Sequence, residues 1–235
     1  MMKKYLGLTA LAGALVLGGG WILSQGASST EGSLLPPGAA MAQDAPAADA
    51  AETPADPALV QIADMRMGAP DAPVTVIEYG SYTCPHCADF HADQLQRLTA
   101  DYIDTGKVNF IFREVYFDRF GLWASMVARC GGEMRFFPVS DLIFDQQRDW
   151  IAGGQDPQLI ADNLRTIGIS AGMEADQVDA CMSDEVMAQS LVAWFQANAT
   201  ADGINGTPTL IIDGTKYDNM PYEEIQAIID AALEG

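Results

Sequence analysis

The segment "PVTVIEYG" (73–80) is short, apolar and rich in β-branched residues, the pattern of a buried strand. After three more residues comes "CPHCADFHADQLQRLTADYI" (84–103), which reads as a helix. Pro85 suits its first turn, where a missing N–H leaves no helical bond unmade. Cys87, Phe90, Gln94, Leu95 and Leu98 fall near one face. "DTGK" (104–107) stops the helix, and "VNFIFREVYF" (108–117) reads as a second strand. Such a strand–helix–strand unit closes by a right-handed crossover, with its strands parallel. No other feature narrows the possible folds as much.

From Asp118 to about Ala201 the periodicity is helical, broken by glycines and prolines. The Met, Phe and Trp residues on those apolar faces read as core. "TPTLIID" (207–213) then reads as a strand, "DGTKY" as a hairpin turn into another, and "PYEEIQAIIDAAL" as a closing amphipathic helix. The expected fold is α/β: a central mixed sheet flanked by helices. Residues 58–117 and 202–235 form the sheet domain, and 118–201 an inserted α-helical domain.

Ahead of this, "MMKK" precedes eighteen uncharged residues, Leu6 to Leu23. As a helix they would reach roughly 27 Å, close to a bilayer core. Residues 1–25 therefore read as a secretory signal or a membrane anchor, and "AMA" (40–42) fits a small-x-small cleavage pattern. Both readings take the rest of the chain out of the cytoplasm. Residues 26–57 are mostly Ala, Pro, Asp, Gly and Ser with no apolar period, the composition of a disordered linker. The formal charge is −20, from 32 acidic and 12 basic residues, which disfavours nucleic acid and anionic lipid as partners.

The chain has four cysteines, Cys84, Cys87, Cys130 and Cys181, and three pairings are open to them. Cys84 and Cys87 flank Pro85 and His86, a spacing that suits a redox disulfide or half of a zinc site. Cys84 stands at a helix start, where free N–H groups and the dipole favour a thiolate. His86, as a cation or a donor, and the Cys87 S–H would favour it further. Cys84 is then the attacking and leaving thiol, and Cys87, one turn inward, the buried resolving thiol. A stabilised Cys84 thiolate stabilises the dithiol, which makes the disulfide the stronger oxidant.

With these residues in place the chain resembles the DsbA-type thiol-disulfide oxidoreductases of the thioredoxin-like superfamily. The resemblance runs from about Met65 to Leu233. It rests on "GAPDAPVTVIEYGSYTCPHCADFH", the helical insertion, "GINGTPTLIIDG" and "YEEIQAIID". It implies a cis bond before Pro208, with the Thr207 backbone turned toward the cysteines so that a substrate peptide can pair there as an added strand. Pro85, Thr207 and Pro208 are then the substrate-binding residues. It also implies that Glu78, inside the first strand, is a buried carboxylate that moves a proton to or from Cys87; the plainer reading is a residue at an exposed edge. His91 reads as a surface or helix-packing residue. Some relatives carry a second, structural disulfide in the insertion, and Cys130 and Cys181 resemble its positions. Thr207 departs from the aliphatic residue of the best-known members, and its hydroxyl can bond a nearby thiolate.

The implied activity is a periplasmic dithiol oxidase that introduces disulfides into exported proteins. Its catalytic residues would be Cys84, Cys87, His86 and Glu78, and its cofactor none beyond the Cys84–Cys87 disulfide. Its partners would be reduced or unfolded exported proteins and a quinone-linked membrane reoxidant, with no nucleic acid, and the expected state is a monomer. An isomerase or reductase of the same fold is the alternative within this chemistry. A metal- or peptide-binding module, using Cys84, Cys87, His86 and His91 or the groove alone, is the alternative outside it. No metal site is expected.

Overall fold

The computed structural model describes residues 58–234, so the expected signal or anchor (1–25) and linker (26–57) lie outside the described residues. Three short edge residues come first, β1 (Met65–Met67), followed by β2 (Val74–Gly80). A helix then runs over 85–103, labelled α1. Its Pro85–Asp89 and Leu95–Leu98 segments are α-helical, and Phe90–Gln94 and Thr99–Ile103 are π-helical turns. Next is β3 (Val108–Glu114), which stops before Tyr116 and Phe117 rather than including them.

Six α-helices separate β3 from the next strand: α2 (Arg119–Cys130), α3 (Glu133–Asp145), α4 (Gln147–Trp150), α5 (Pro157–Ser170), α6 (Ala175–Met182) and α7 (Glu185–Ala201). The chain ends with the hairpin β4 (Thr209–Ile212) and β5 (Thr215–Asp218) and then α8 (Tyr222–Glu234).

The strands form one mixed sheet in the order β1-β3-β2-β4-β5. β2 and β3 are parallel, as the crossover through α1 requires, and the other pairings are antiparallel. β1 has no counterpart in the sequence reading, because three residues are too few to display alternation.

Strand alternation sets which side chains meet α1. Val74, Val76, Glu78 and Gly80 share one face of β2, and all four are buried. Their register partners Val108, Phe110, Phe112 and Glu114 continue that face on β3. A carboxylate therefore occupies a core position. Gly80 is needed there for space: a Cβ would lie 2.5 Å from Phe112 Cε2 and 2.8 Å from Glu78 Oε1. Gly80→Ala should destabilise by about 1–3 kcal/mol through overpacking, read as a lowered urea midpoint.

The insertion is fastened to the sheet by polar contacts. Asp118 caps α2, accepting from Phe120 N at 2.8 Å and Gly121 N at 3.0 Å, while Thr83 Oγ1 donates to it at 2.6 Å. Tyr82 Oη and Ser140 Oγ lie 2.6 Å apart in the core. Gln147 Nε2 donates to Tyr82 O at 2.8 Å and to Cys84 O at 2.9 Å. The loop between β2 and α1 is thus held from both α3 and α4.

Candidate active site

Cys84 is the N-cap of α1, extended at φ −88° and ψ 118°, with Pro85 as the first helical residue. Its carbonyl accepts from Cys87 N at 3.1 Å and Ala88 N at 3.2 Å, so the turn that opens the helix also sets the spacing of the two thiols. Both thiols are free in this structure. Cys84 is partly exposed, whereas Cys87 is fully buried beneath it.

Their ionisation is driven apart. The Cys84 thiol is lowered from 9.0 to about 5, first by a hydrogen bond from Cys87. Burial opposes this, while the Thr207 side chain and the backbone N–H groups of Cys87 and His86 add to it. Cys87 is pushed far up, first by burial, then by its bond to Cys84, then by the charge of Glu78. The Ser81 N–H reaches Cys87 Sγ at 3.4 Å. At neutral pH the pair is one outward thiolate and one inward thiol, which is the asymmetry that nucleophilic exchange needs.

Thr207 closes the other side. Its bond to Pro208 is cis, and its carbonyl oxygen lies 3.4 Å from Cys84 Sγ, where it can accept from the protonated thiol. Pro208 is buried and leads directly into β4. Pro85 is exposed at the rim. Cys84, Cys87, Pro85, Thr207 and Pro208, drawn from two ends of the sequence, therefore lie together.

The two histidines have different surroundings. The His86 side chain faces solvent, with Nδ1 4.0 Å from Asp89 Oδ2, and it acts on Cys84 through its backbone N–H. Of the two readings open to His91, surface or helix-packing, the structure shows the second: it is 3 % exposed, with Nε2 2.9 Å from Glu78 Oε2. Glu78 is 0 % exposed, so it is no edge residue. The i+4 spacing of Cys87 and His91 was visible in the sequence, but its meeting with Glu78 depends on how α1 lies on β2. Gln147 carried no signal, since it reaches Cys84 from 63 positions away. Among the described residues, no group of three or more His, Cys, Asp or Glu side chains could hold a metal ion.

A thiol helix on a parallel pair, faced by a cis-proline loop, is the arrangement against which known proteins can be compared. The family model described as Thioredoxin matches residues 61–231. The chain belongs to the thioredoxin family. Within it, the likeness is to the DsbA-type oxidoreductases. A Rickettsia bellii protein provisionally named protein-disulfide oxidoreductase is 34 % identical over 172 residues, covering 73 % of this chain and 65 % of that protein. The chain thus spans less than two thirds of that relative's length. Disulfide bond formation protein D of Bacillus subtilis is 27 % identical, covering 72 % of this chain and 77 % of the relative. Among solved structures, alpha-DsbA1 of Wolbachia pipientis superposes with a TM-score of 0.67 at 26 % identity, covering 74 % of this chain and 92 % of that one.

This thioredoxin-family chain also carries a disulfide away from the thiol pair. Cys130, at the end of α2, is bonded to Cys181 in α6, across a separation of 51 residues. Closing that loop should stabilise the protein by about 4 kcal/mol in the chain-entropy model. The double variant Cys130→Ser/Cys181→Ser should therefore lose several kcal/mol in denaturant titration.

Proposed function

We propose that this chain is an exported thiol-disulfide oxidase that introduces disulfides into reduced or unfolded exported proteins. The observation that carries the reading is the depressed Cys84 thiol set over the buried, raised Cys87. A substrate thiolate attacks Cys84 Sγ of the enzyme disulfide. A mixed disulfide forms, and the electron pair of the Cys84–Cys87 bond leaves on Cys87, which takes up a proton. A second substrate thiolate then attacks the substrate sulfur of the mixed disulfide, and Cys84 departs as a thiolate. The substrate is oxidised by two electrons and the enzyme reduced by two. Because the Cys84 thiolate is a stabilised leaving group, the sequence runs toward oxidised substrate.

The groove beside Thr207 and Pro208 would hold the substrate as an added strand, with the backbone supplying affinity and no fixed sequence demanded. Export is supported by the signal-like first 25 residues and by the Cys130–Cys181 bond, since disulfides persist in oxidising compartments. In that setting the periplasm is the proposed location and a quinone-linked membrane protein the proposed reoxidant. Among the described residues, no helix is long and apolar enough to cross a membrane. The test is oxidative refolding of a reduced, cysteine-containing protein. The oxidised enzyme should speed disulfide gain, and Cys84→Ser should not; equal rates for the two would overturn the proposal.

A further inference from the structure

Exchange leaves one problem on the buried side. Each time the Cys84–Cys87 bond opens, Cys87 must gain a proton, and each time it closes, Cys87 must lose one. Cys87 is fully buried, so its sulfur makes no contact with water. Glu78 is close enough to act on it electrostatically, but Glu78 is also fully buried.

His91 connects that carboxylate to the outside. Its Nε2 is 2.9 Å from Glu78 Oε2. Its Nδ1 is buried and has no hydrogen-bond partner. Unpaired buried polar atoms are rare in folded proteins and call for a reason. The ring is held by Phe144, at 4.1 Å between centroids, and by Phe112, at 5.3 Å. It sits in the π-helical turn Phe90–Gln94, an irregularity often found at functional positions. It borders a pocket of about 330 Å³, also lined by Ala92, Gln96, Asp141, Phe144 and Asp145. Ala92, Gln96 and Asp145 are exposed, so water reaches this pocket.

We infer that His91 is a proton relay, passing protons between Glu78 and the pocket behind α1 as Cys87 is protonated and deprotonated. When the disulfide opens, the electron pair leaves on Cys87 Sγ and a proton moves to it from the Glu78–His91 pair. His91 then regains a proton from water in the pocket. When the disulfide closes, the same proton returns outward. The imidazole suits this, because it can accept at one nitrogen while it donates at the other. The charged and titratable groups around it are Glu78 from β2, Cys87 from α1, and Asp141 and Asp145 from α3. Burial raises the Asp141 carboxyl, and the His91 charge opposes that rise. The two aspartates give the pocket a negative potential that favours the arrival of protons. His91 acts through Glu78 and touches no substrate, so it is a positioning residue in this chemistry.

The inference rests on exchange at Cys84–Cys87 but not on its physiological direction. The test is therefore single-turnover reduction of the oxidised protein by glutathione, quenched with acid and read by thiol alkylation as a function of pH. Glutathione thiolate attacks Cys84 and frees Cys87; a second one releases Cys84 and leaves oxidised glutathione. His91→Gln keeps a donor toward Glu78 but cannot relay. Opening of the disulfide should slow about a hundredfold, and the rate should keep only the pH dependence of the glutathione thiol. In His91→Ala, added imidazole should enter the enlarged pocket and restore the rate. Unchanged rates and pH profile in a folded His91→Gln variant would overturn the relay, whether or not His91→Ala folds. Failure of the wild type to oxidise substrate proteins would sink the oxidase reading alone.

Discussion

Replacing Cys87 by alanine should raise the Cys84 thiol from about 5 toward its ordinary value, although the reactive sulfur itself is untouched. The Cys87 S–H is the largest single influence on that thiolate. A hydrogen bond to a charged group contributes about 1.5–3 kcal/mol, which corresponds to about 1–2 pKa units. The thiolate fraction at a pH below both values should therefore fall about 10–100-fold, read from the ultraviolet thiolate absorbance during an acid titration. An unchanged titration would mean that the helix start alone holds the charge. The wild-type value also predicts a pH dependence for the reduced form. Because the folded value lies below 9.0, Cys84 stabilises the reduced protein fully above about 9 and loses that contribution as pH falls through about 5. Cys87, raised by burial, has the opposite sign and weakens the reduced form only above about 9. The stability of reduced over oxidised protein should thus climb from about pH 5 to 9 and then decline.

The largest effect on stability should come from Arg129. Its Nε and Nη2 donate to Glu114 Oε1 at 2.6 Å and Oε2 at 2.7 Å, a two-bond pair inside the protein. Glu114 is buried in the sheet face toward α1, and the guanidinium also lies over Phe136 and Trp194. Arg129→Met removes the partner and leaves a carboxylate in the core. The expected loss is about 3–5 kcal/mol in urea titration. Arg129→Met with Glu114→Leu removes both charges and should recover much of it, because the pair itself offsets a large desolvation cost. A loss under about 1 kcal/mol for the single variant would mean that water reaches Glu114.

Much of this architecture was legible in the sequence because it follows from periodicity. The β2–α1–β3 unit, the helical run after Asp118 and the closing hairpin and helix each stand where the pattern of apolar residues places them. The burial of Glu78 was legible only through the family resemblance, since the residues by themselves also allowed an exposed edge. The edge strand β1 was not, since its pairing with β3 is a matter of backbone contact rather than side-chain pattern. The π-helical turns in α1 were also hidden, because a local change of helical period leaves the apolar face intact. The contacts that tune the site arise only from tertiary packing. His91 meets Glu78 across the helix–sheet interface, and Gln147 meets the Cys84 carbonyl from the insertion. His86 shows the converse. Its position between the cysteines suggests a direct side-chain role, yet the helix start turns its ring to solvent and leaves the backbone N–H to act.

These pieces converge on one quantity, the reduction potential of the Cys84–Cys87 pair. A stabilised Cys84 thiolate favours the dithiol and makes the disulfide oxidising. The direct measurement is redox equilibration of the purified protein with glutathione at neutral pH, with the thiol state trapped by alkylation. The expected potential is above about −180 mV, on the oxidising side of protein disulfide isomerase. A value near about −270 mV, that of a thioredoxin-type reductant, would contradict the oxidase account.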